Sequence, residues 1–201
     1  MDSKLKNMID IIAVTYGHNH RLKCFINSIK SQYNNSWRLF IIHDGPNSDL
    51  KKDLENNNYL VKDKVFFIEH PTRTQNYGHV LRNWGLENLA TNEYVILTNG
   101  DNYYTPNMVD EVLTRTEDLI YFDCVHSHKT PINHNSSDYG FMDTKLQSSR
   151  IDMGGAAVKT EIAKKVGFKN KDFAADWKYF KEIIDLNVTS YKINKILFVH
   201  N

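Results

Sequence analysis

The stretch Glu93-Tyr-Val-Ile-Leu-Thr-Asn-Gly-Asp-Asn-Tyr-Tyr-Thr-Pro106 constrains this 201-residue chain most. Residues 94–97 form an apolar run of strand length. The run breaks at once into Asn99, Gly100, Asp101 and Asn102, and Pro106 closes the loop. A fully apolar strand is one buried on both faces, as in sheets covered by helices on either side. Such sheets place their ligands in crevices at the carboxyl ends of the strands. Asp101 stands where a crevice of that kind would take a carboxylate.

The rest of the chain repeats the pattern. Residues 8–14 carry Ile9, Ile11, Ile12 and Val14 and read as a central strand. It ends in Thr15-Tyr-Gly-His-Asn-His20, where Gly17 permits a sharp turn. Leu22, Phe25, Ile26 and Ile29 then fall at helical spacing, predicting a helix over 20–33. Further strands are predicted at 37–43 and 65–69, with a short helix at 48–57 between them. A helix bearing Val80, Leu81, Trp84 and Leu89 leads into the 94–97 strand. A helix with Val109, Val112 and Leu113 follows Pro106, then a strand at 119–125. Residues 129–150 are polar and read as a loop. Residues 153–158 are expected to run into a short helix with Ile162 and Val166, capped by Gly167. A helix with Trp177, Phe180 and Ile184 is introduced by 172–175, and 191–199 is the last strand. This alternation predicts a single α/β domain with a mostly parallel, Rossmann-like sheet between two helix layers.

Composition removes several classes. A net charge of +1 without a basic run gives no electrostatic grip on nucleic acid. No apolar run approaches the roughly 18 residues of a membrane span. The opening Met1-Asp-Ser-Lys-Leu-Lys6 lacks a signal-peptide core. With Cys24 and Cys124 as its two cysteines the chain has no disulfide framework to organise it, so a reducing, cytoplasmic setting is expected. The chain also lacks a dinucleotide Gly fingerprint after its first strand, a phosphate-cradling Gly-Lys-Ser/Thr loop and a Gly-x-Ser-x-Gly turn.

Several residues remain as candidates. Asp101 suits a hard divalent cation, which takes carboxylates and phosphate oxygens, although Asp and Asn are also ordinary turn formers. Asp44 lies in the loop after a neighbouring strand and is expected near Asp101. It can accept bonds from a base or ribose, or simply shape its Asp-Gly turn. Arg82 and Asn83 lie near a helix N-terminus, where Arg can pair with phosphate or with a carboxylate. The alternative is a solvated helix face. Asp176 opens a helix, which favours a carboxylate there on electrostatic grounds alone. It is also a candidate general base. His18, His20, His126, His128 and His134 show no zinc spacing, and His200 ends a strand that could reach the same crevice.

Taken in order, the motifs resemble glycosyltransferase family 2. Ile12-Ala-Val-Thr-Tyr-Gly-His18 is similar to the family's first strand and nucleotide-binding loop. His43-Asp-Gly-Pro-Asn-Ser-Asp49 resembles its Asp-Asp-Gly-Ser segment, with His43 in place of the first Asp. Asn76-Tyr-Gly-His-Val-Leu-Arg-Asn-Trp-Gly-Leu86 resembles its Gly…Ala-Arg-Asn-x-Gly helix. Asn99-Gly-Asp-Asn102 stands where the family has Asp-x-Asp-Asp. Met153-Gly-Gly-Ala156 falls at an acceptor-side Gly motif, and Ala175-Asp176 at a Glu-Asp pair.

The resemblance implies a GT-A fold and an inverting transferase with a nucleoside-diphosphate sugar donor, UDP-linked by preference, and a glycan acceptor. Residues up to about 106 would bind the donor, and 107–201 the acceptor. Thr15, Tyr16, Gly17, Asp44, Asn76, Arg82, Asn83, Asn99, Gly100 and Asp101 would contact the nucleotide-sugar. Gly154, Gly155 and Trp177 would face the acceptor, and Asp176 would be the catalytic base. Asp101 and His200 would hold Mn²⁺ or Mg²⁺. Asn99 and Ala175 depart from the family's acidic residues. The chain stops just after its last strand, where many members add helices, so it reads either as a compact enzyme or as the catalytic part of a longer protein. Competing readings are a catalytically inactive nucleotide-sugar-binding module and a nucleotidyltransferase. The second would need a Gly-rich basic loop where this chain has Thr15-Tyr-Gly-His-Asn-His20.

Overall fold

A computed structural model describes residues 7–17, 19–127, 139–169 and 174–201. His18, His128, His134, Asp172 and the centre of the predicted 129–150 loop lie outside the described residues. In chain order the elements are β1 (Ile9–Thr15), α1 (Asn19–Lys30), β2 (Trp37–His43), α2 (Ser48–Asn56), β3 (Val65–Glu69) and, after a 3-10 turn at Asn76–Gly78, α3 (His79–Asn88). There follow β4 (Tyr94–Asn99), β5 (Tyr103–Tyr104), α4 (Met108–Leu113), β6 (Leu119–Ser127) and β7 (Tyr139–Met142). A 3-10 turn at Met153–Gly155 then leads to β8 (Ala156–Lys159), α5 (Thr160–Val166), α6 (Ala175–Ile184) and β9 (Ser190–His200).

All these strands join one sheet in the order β3-β2-β1-β4-β8-β6-β9-β5, with β7 on β6. The first four are parallel, as the alternation predicts. The sheet as a whole is mixed, which corrects the mostly parallel expectation. β8 runs antiparallel to both β4 and β6, β5 antiparallel to β9, and β7 antiparallel to β6. A parallel return needs a long crossover, usually a helix, whereas an antiparallel one does not. No helix lies between β6 and β8 among the described residues, so β8 comes back reversed. The 153–158 segment, expected to lead into a helix, therefore contributes a strand first, and β7 occupies part of the predicted loop.

β1 explains why the sheet is buried on both sides. Ile9, Ile11 and Ala13 point into a core shared with Phe25 and Ile29 of α1 and with Met108 and Val112 of α4. Ile12 and Val14, half a pleat away, enter a second core with Leu81 of α3, Ala163 of α5 and Phe180 of α6. At the amino end of the strands, buried Asp10 takes a bidentate pair from Arg38 at 2.9 and 3.0 Å and the amides of Thr91 and Asn92 at 2.7 and 2.9 Å. That end is locked by charge-assisted bonds, and the carboxyl end is left to the loops.

Candidate active site

Parallel register brings the carboxyl ends of β1, β2 and β4 level. Thr15 pairs with His43, and Val14 with Asn99. The loops that follow enclose a cavity of about 530 Å³, of a size that suits a small ligand. Thr15, Tyr16, Asp44 and Asn76 line it, as do Asn99, Gly100 and Asp101. Seven of the ten residues expected to contact a donor are thus gathered at one cavity. Gly17, Arg82 and Asn83 are not in its wall.

Two side chains in that wall carried no sequence signal. Arg73 places its guanidinium carbon 3.8 Å from the centroid of the Tyr16 ring. Tyr77 is 70% exposed and stands beside them. A cation on one aromatic ring, with another ring open to solvent, is a surface that accepts a flat base and an anionic phosphate. Neither residue lies in a strand or in a periodic helix, which is why pattern reading passed over them.

Asp44 is buried, and both its oxygens are engaged. Oδ1 accepts from the Thr74 amide at 2.6 Å and the Thr74 hydroxyl at 2.9 Å, and Oδ2 accepts from the Gln75 amide at 3.0 Å. These bonds hold a strained turn. Gln75, Asn76 and Tyr77 all have positive φ (59°, 51° and 54°), and Gly78 follows at 74°. Non-Gly residues in that region cost of order 1–3 kcal/mol each. The carboxylate fixes the wall of the cavity, with three of its roughly four acceptor positions already used.

Arg82 is buried one turn into α3, not on a solvated face. Its Nη1 donates to the Tyr77 carbonyl at 2.8 Å and lies 3.0 Å from the His79 ring Nδ1, and its Nη2 donates to the Asn99 side-chain oxygen. Burial pulls the guanidinium pKa down, while Asp176, Asp152 and Asp101 act in the other direction. Asn83 turns away, bonding Glu87 at 2.7 Å and the Phe168 amide at 2.7 Å, so it ties α3 to the segment after α5.

Asp176 lies in the first turn of α6, and its Oδ2 accepts from the Met153 amide at 3.2 Å. Its carboxyl pKa is pushed up to about 6, first by burial and then by the charge of Asp152. Arg82, the Met153 amide and His200 oppose the rise. The helix N-terminus favours an ionised carboxylate, but desolvation outweighs it here. Gly154 and Gly155 are buried in the turn before β8, and Trp177 packs half-buried against the second core.

Asp101 is half-buried, with Arg21 at 3.9 Å. The chain end is stitched to its loop: the Asn201 amide donates to Asn102 Oδ1 at 3.2 Å, and Asn201 Nδ2 donates to the Asp101 carbonyl at 3.3 Å. His200, the last residue of β9, stacks on His126 with ring centroids 4.2 Å apart and planes within 10°. Its Nε2 lies 3.5 Å from Asp152 Oδ2. Three ligand atoms, one each from His126, Asp152 and His200, all lie within 4.8 Å of one another. Asp101 is not in that group. Sequence spacing could not bring these three together, because they come from β6, a turn and β9.

Among the described residues no helix is long and apolar enough to cross a membrane. The fold is shared with solved glycosyltransferases. TarS residues 1–349 from S. aureus in complex with UDP superposes with a TM-score of 0.74 at 15% identity, covering 96% of this chain and 60% of that one. The same protein in complex with UDP-GlcNAc gives 0.72 at 14% identity, covering 96% and 58%. A mannosyltransferase from Pyrobaculum calidifontis in complex with GDP-Man and Mn²⁺ gives 0.68 at 18% identity, covering 96% and 56%. The chain thus spans less than two thirds of these structures. No curated protein sequence matches it. Residues 10–174 match glycosyl transferase family 2, and the chain belongs to that family.

Proposed function

We propose that the chain is an inverting glycosyltransferase that moves a sugar from a nucleoside-diphosphate sugar, UDP-linked by preference, to a hydroxyl of a glycan acceptor. The observation that carries the reading is the position of Arg82. This one buried cation bonds Asn99 in the wall of the donor cavity, and the charges of Asp176, Asp152 and Asp101 all reach it. A donor in the cavity and a base at α6 would therefore work on the same reacting centre. The TarS complexes with UDP and UDP-GlcNAc support a uridine nucleotide, and the mannosyltransferase complex with GDP-Man makes a guanosine donor the alternative to be tested.

Asp176 would take the proton of the acceptor hydroxyl as its oxygen bonds the anomeric carbon. The bond from that carbon to the diphosphate oxygen breaks on the opposite face, so the configuration inverts and the nucleoside diphosphate departs. A carboxyl near pKa 6 is a stronger base than an ordinary Asp and is still ionised at neutral pH. Tyr16, Arg73 and Tyr77 would hold the base and phosphates, and the Asp44-fastened turn would fix their spacing. Asp101 and His200 would each offer a ligand to a divalent cation, Mn²⁺ or Mg²⁺: the Asp101 carboxylate lines the cavity, and His200, on the side of the His126–Asp152 cluster, has a buried Nδ1 with no hydrogen-bond partner among the described residues. When bound, the cation supplies Lewis-acid stabilisation of the leaving diphosphate.

Thermal unfolding in the presence of Mn²⁺ and a panel of nucleotide-sugars tests the donor. A ligand that binds only the folded chain raises Tm. UDP-sugars are expected to raise it more than GDP-sugars, and no shift with any uridine ligand would overturn the preference. Donor turnover with the parent and with Asp176→Asn tests the chemistry. Binding without turnover in the parent would establish a binding module instead, a reading that Asn99 in place of an acidic residue favours.

A further inference from the structure

We propose that His126, Asp152 and His200 form a preformed site for a transition-metal cation, able to bind it before any donor arrives. The cation's use in transfer rests on the glycosyltransferase reading, but its binding does not.

The register of the sheet creates the site. β6 and β9 run parallel, and His126 is paired with His200. Shifts in register at Phe122–Cys124 set that pairing, so the two rings arrive side by side at the strand ends. They stack with centroids 4.2 Å apart and planes within 10°, and a ligand nitrogen of each lies within 4.8 Å of the other. Asp152 completes the set from the turn before β8. Its Oδ1 accepts from the Gly154 amide at 2.9 Å, which orients the carboxylate and leaves Oδ2 facing His200 Nε2 at 3.5 Å. A bonded far oxygen of this kind is how proteins aim a ligating carboxylate.

The spacing is close to what a cation needs. Ligand atoms about 2.0–2.2 Å from a tetrahedral ion lie about 3.4 Å apart. Here all three lie within 4.8 Å, so side-chain rotations suffice to close on an ion. Two imidazoles with one carboxylate select Mn²⁺, Co²⁺, Fe²⁺ or Zn²⁺ over Mg²⁺, whose preference is for oxygen alone. His200 also has an unsatisfied need: its buried Nδ1 finds no hydrogen-bond partner among the described residues.

Location gives the site its meaning. His200 is followed by Asn201, which is bonded to both Asn102 and Asp101. The cluster therefore adjoins the donor loop, and it is near enough to Asp176 that the charges of Asp152 and His200 both reach that carboxyl. A cation seated there needs no second carboxylate in the Asn99-Gly-Asp101 loop, which accounts for a neutral amide at Asn99.

The full chain, free of nucleotide, is titrated with Mn²⁺ and followed by electron paramagnetic resonance. Co²⁺ absorption reports imidazole ligation. One Mn²⁺ per chain is expected, with Mg²⁺ a poor competitor. His126→Ala, His126→Gln and Asp152→Asn should each weaken binding at least about tenfold, with circular dichroism showing the variants folded, while Asp101→Asn has a smaller effect. The isosteric Asp152→Asn keeps the test open if a His126 variant does not fold. Metal binding that appears only with UDP, or that survives all three variants and is lost in Asp101→Asn, overturns the proposal. Nucleotide-sugar binding measured in parallel separates the two readings: donor turnover without nucleotide-free metal binding refutes this site alone. A bound metal with no nucleotide-sugar binding refutes the transferase alone.

Discussion

Arg82, buried in α3, donates to the side-chain oxygen of Asn99 at the end of β4. A buried cation is thereby held by a neutral amide and a carbonyl, and its charge stays available to Asp176, Asp152 and Asp101. Because Arg82 lowers the pKa of Asp176, removing its charge should raise that pKa further. Arg82→Met is expected to move the acidic limb of the pH–rate profile above about 6. It also leaves the Tyr77 carbonyl and Asn99 oxygen without their donor, costing roughly 2–4 kcal/mol in urea unfolding. An unmoved limb in a folded variant would refute the electrostatic link.

Asp176 makes activity and stability pull apart. Its folded pKa of about 6 lies above the ordinary 3.8, so the folded chain holds this proton more tightly than the unfolded chain does. Ionisation therefore destabilises the fold: the penalty is absent below about 3.8, grows through the interval and is complete above about 6. Asp176→Asn should abolish transfer yet raise Tm at pH 7.5 by roughly 2–4 °C. The gain should vanish as pH falls through the same interval. For the parent, the transfer rate should fall tenfold per pH unit below about 6, as a base that must be unprotonated requires. A lower Tm for Asp176→Asn at pH 7.5 would rule out this account.

The first half of the fold was legible because its strands are continuous apolar runs and each is followed by a periodic helix. The second half was less so. β8 is four residues long and opens with Ala156 and Ala157, so periodicity could not separate it from the helix that follows. β5 has two residues and exists because β9 pairs with it. The site divides in the same way. Residues at strand ends, such as Thr15 and Asp101, could be placed from topology. Residues whose meaning depends on a distant partner could not. Asp44 is indistinguishable in sequence from an Asp-Gly turn former, and only the fold brings the 74–75 amides to it. His126 and Asp152 become neighbours of His200 through strand register and a bulge, neither of which leaves a mark on composition.

Gly78 and Gly17 give a controlled comparison. Both have positive φ, at 74° and 69°. A Cβ on Gly78 would lie 2.7 Å from Val14 Cγ2, whereas one on Gly17 would meet nothing within 4 Å. Gly17→Ala should cost only the backbone term, roughly 1 kcal/mol. Gly78→Ala adds a clash with a β-branched side chain in the cavity wall, so a total of roughly 2–4 kcal/mol is expected. Chemical denaturation of both variants measures the difference. Equal costs would mean that Val14 yields without penalty.

Asp44 is the fastener of the cavity wall, and its removal should act on structure before chemistry. Its three bonds to Thr74 and Gln75 offset the strain of the positive-φ run at 75–78. Asp44→Ala takes away the acceptor and leaves two backbone amides unsatisfied, at a cost of about 1–3 kcal/mol for each if buried. Asp44→Asn keeps the size but replaces a charged acceptor of several bonds with one carbonyl, so a smaller loss is expected. In both variants, amide exchange should accelerate first at 74–78, because a strained turn opens locally once its tether is gone. Tyr77 and Arg73 would lose their fixed spacing, so KM for the donor should rise while kcat changes less, since Asp176 and its neighbours are untouched. Uniform acceleration across the chain would show that Asp44 supports the whole fold. A fall in kcat with KM unchanged would place Asp44 in the chemistry itself.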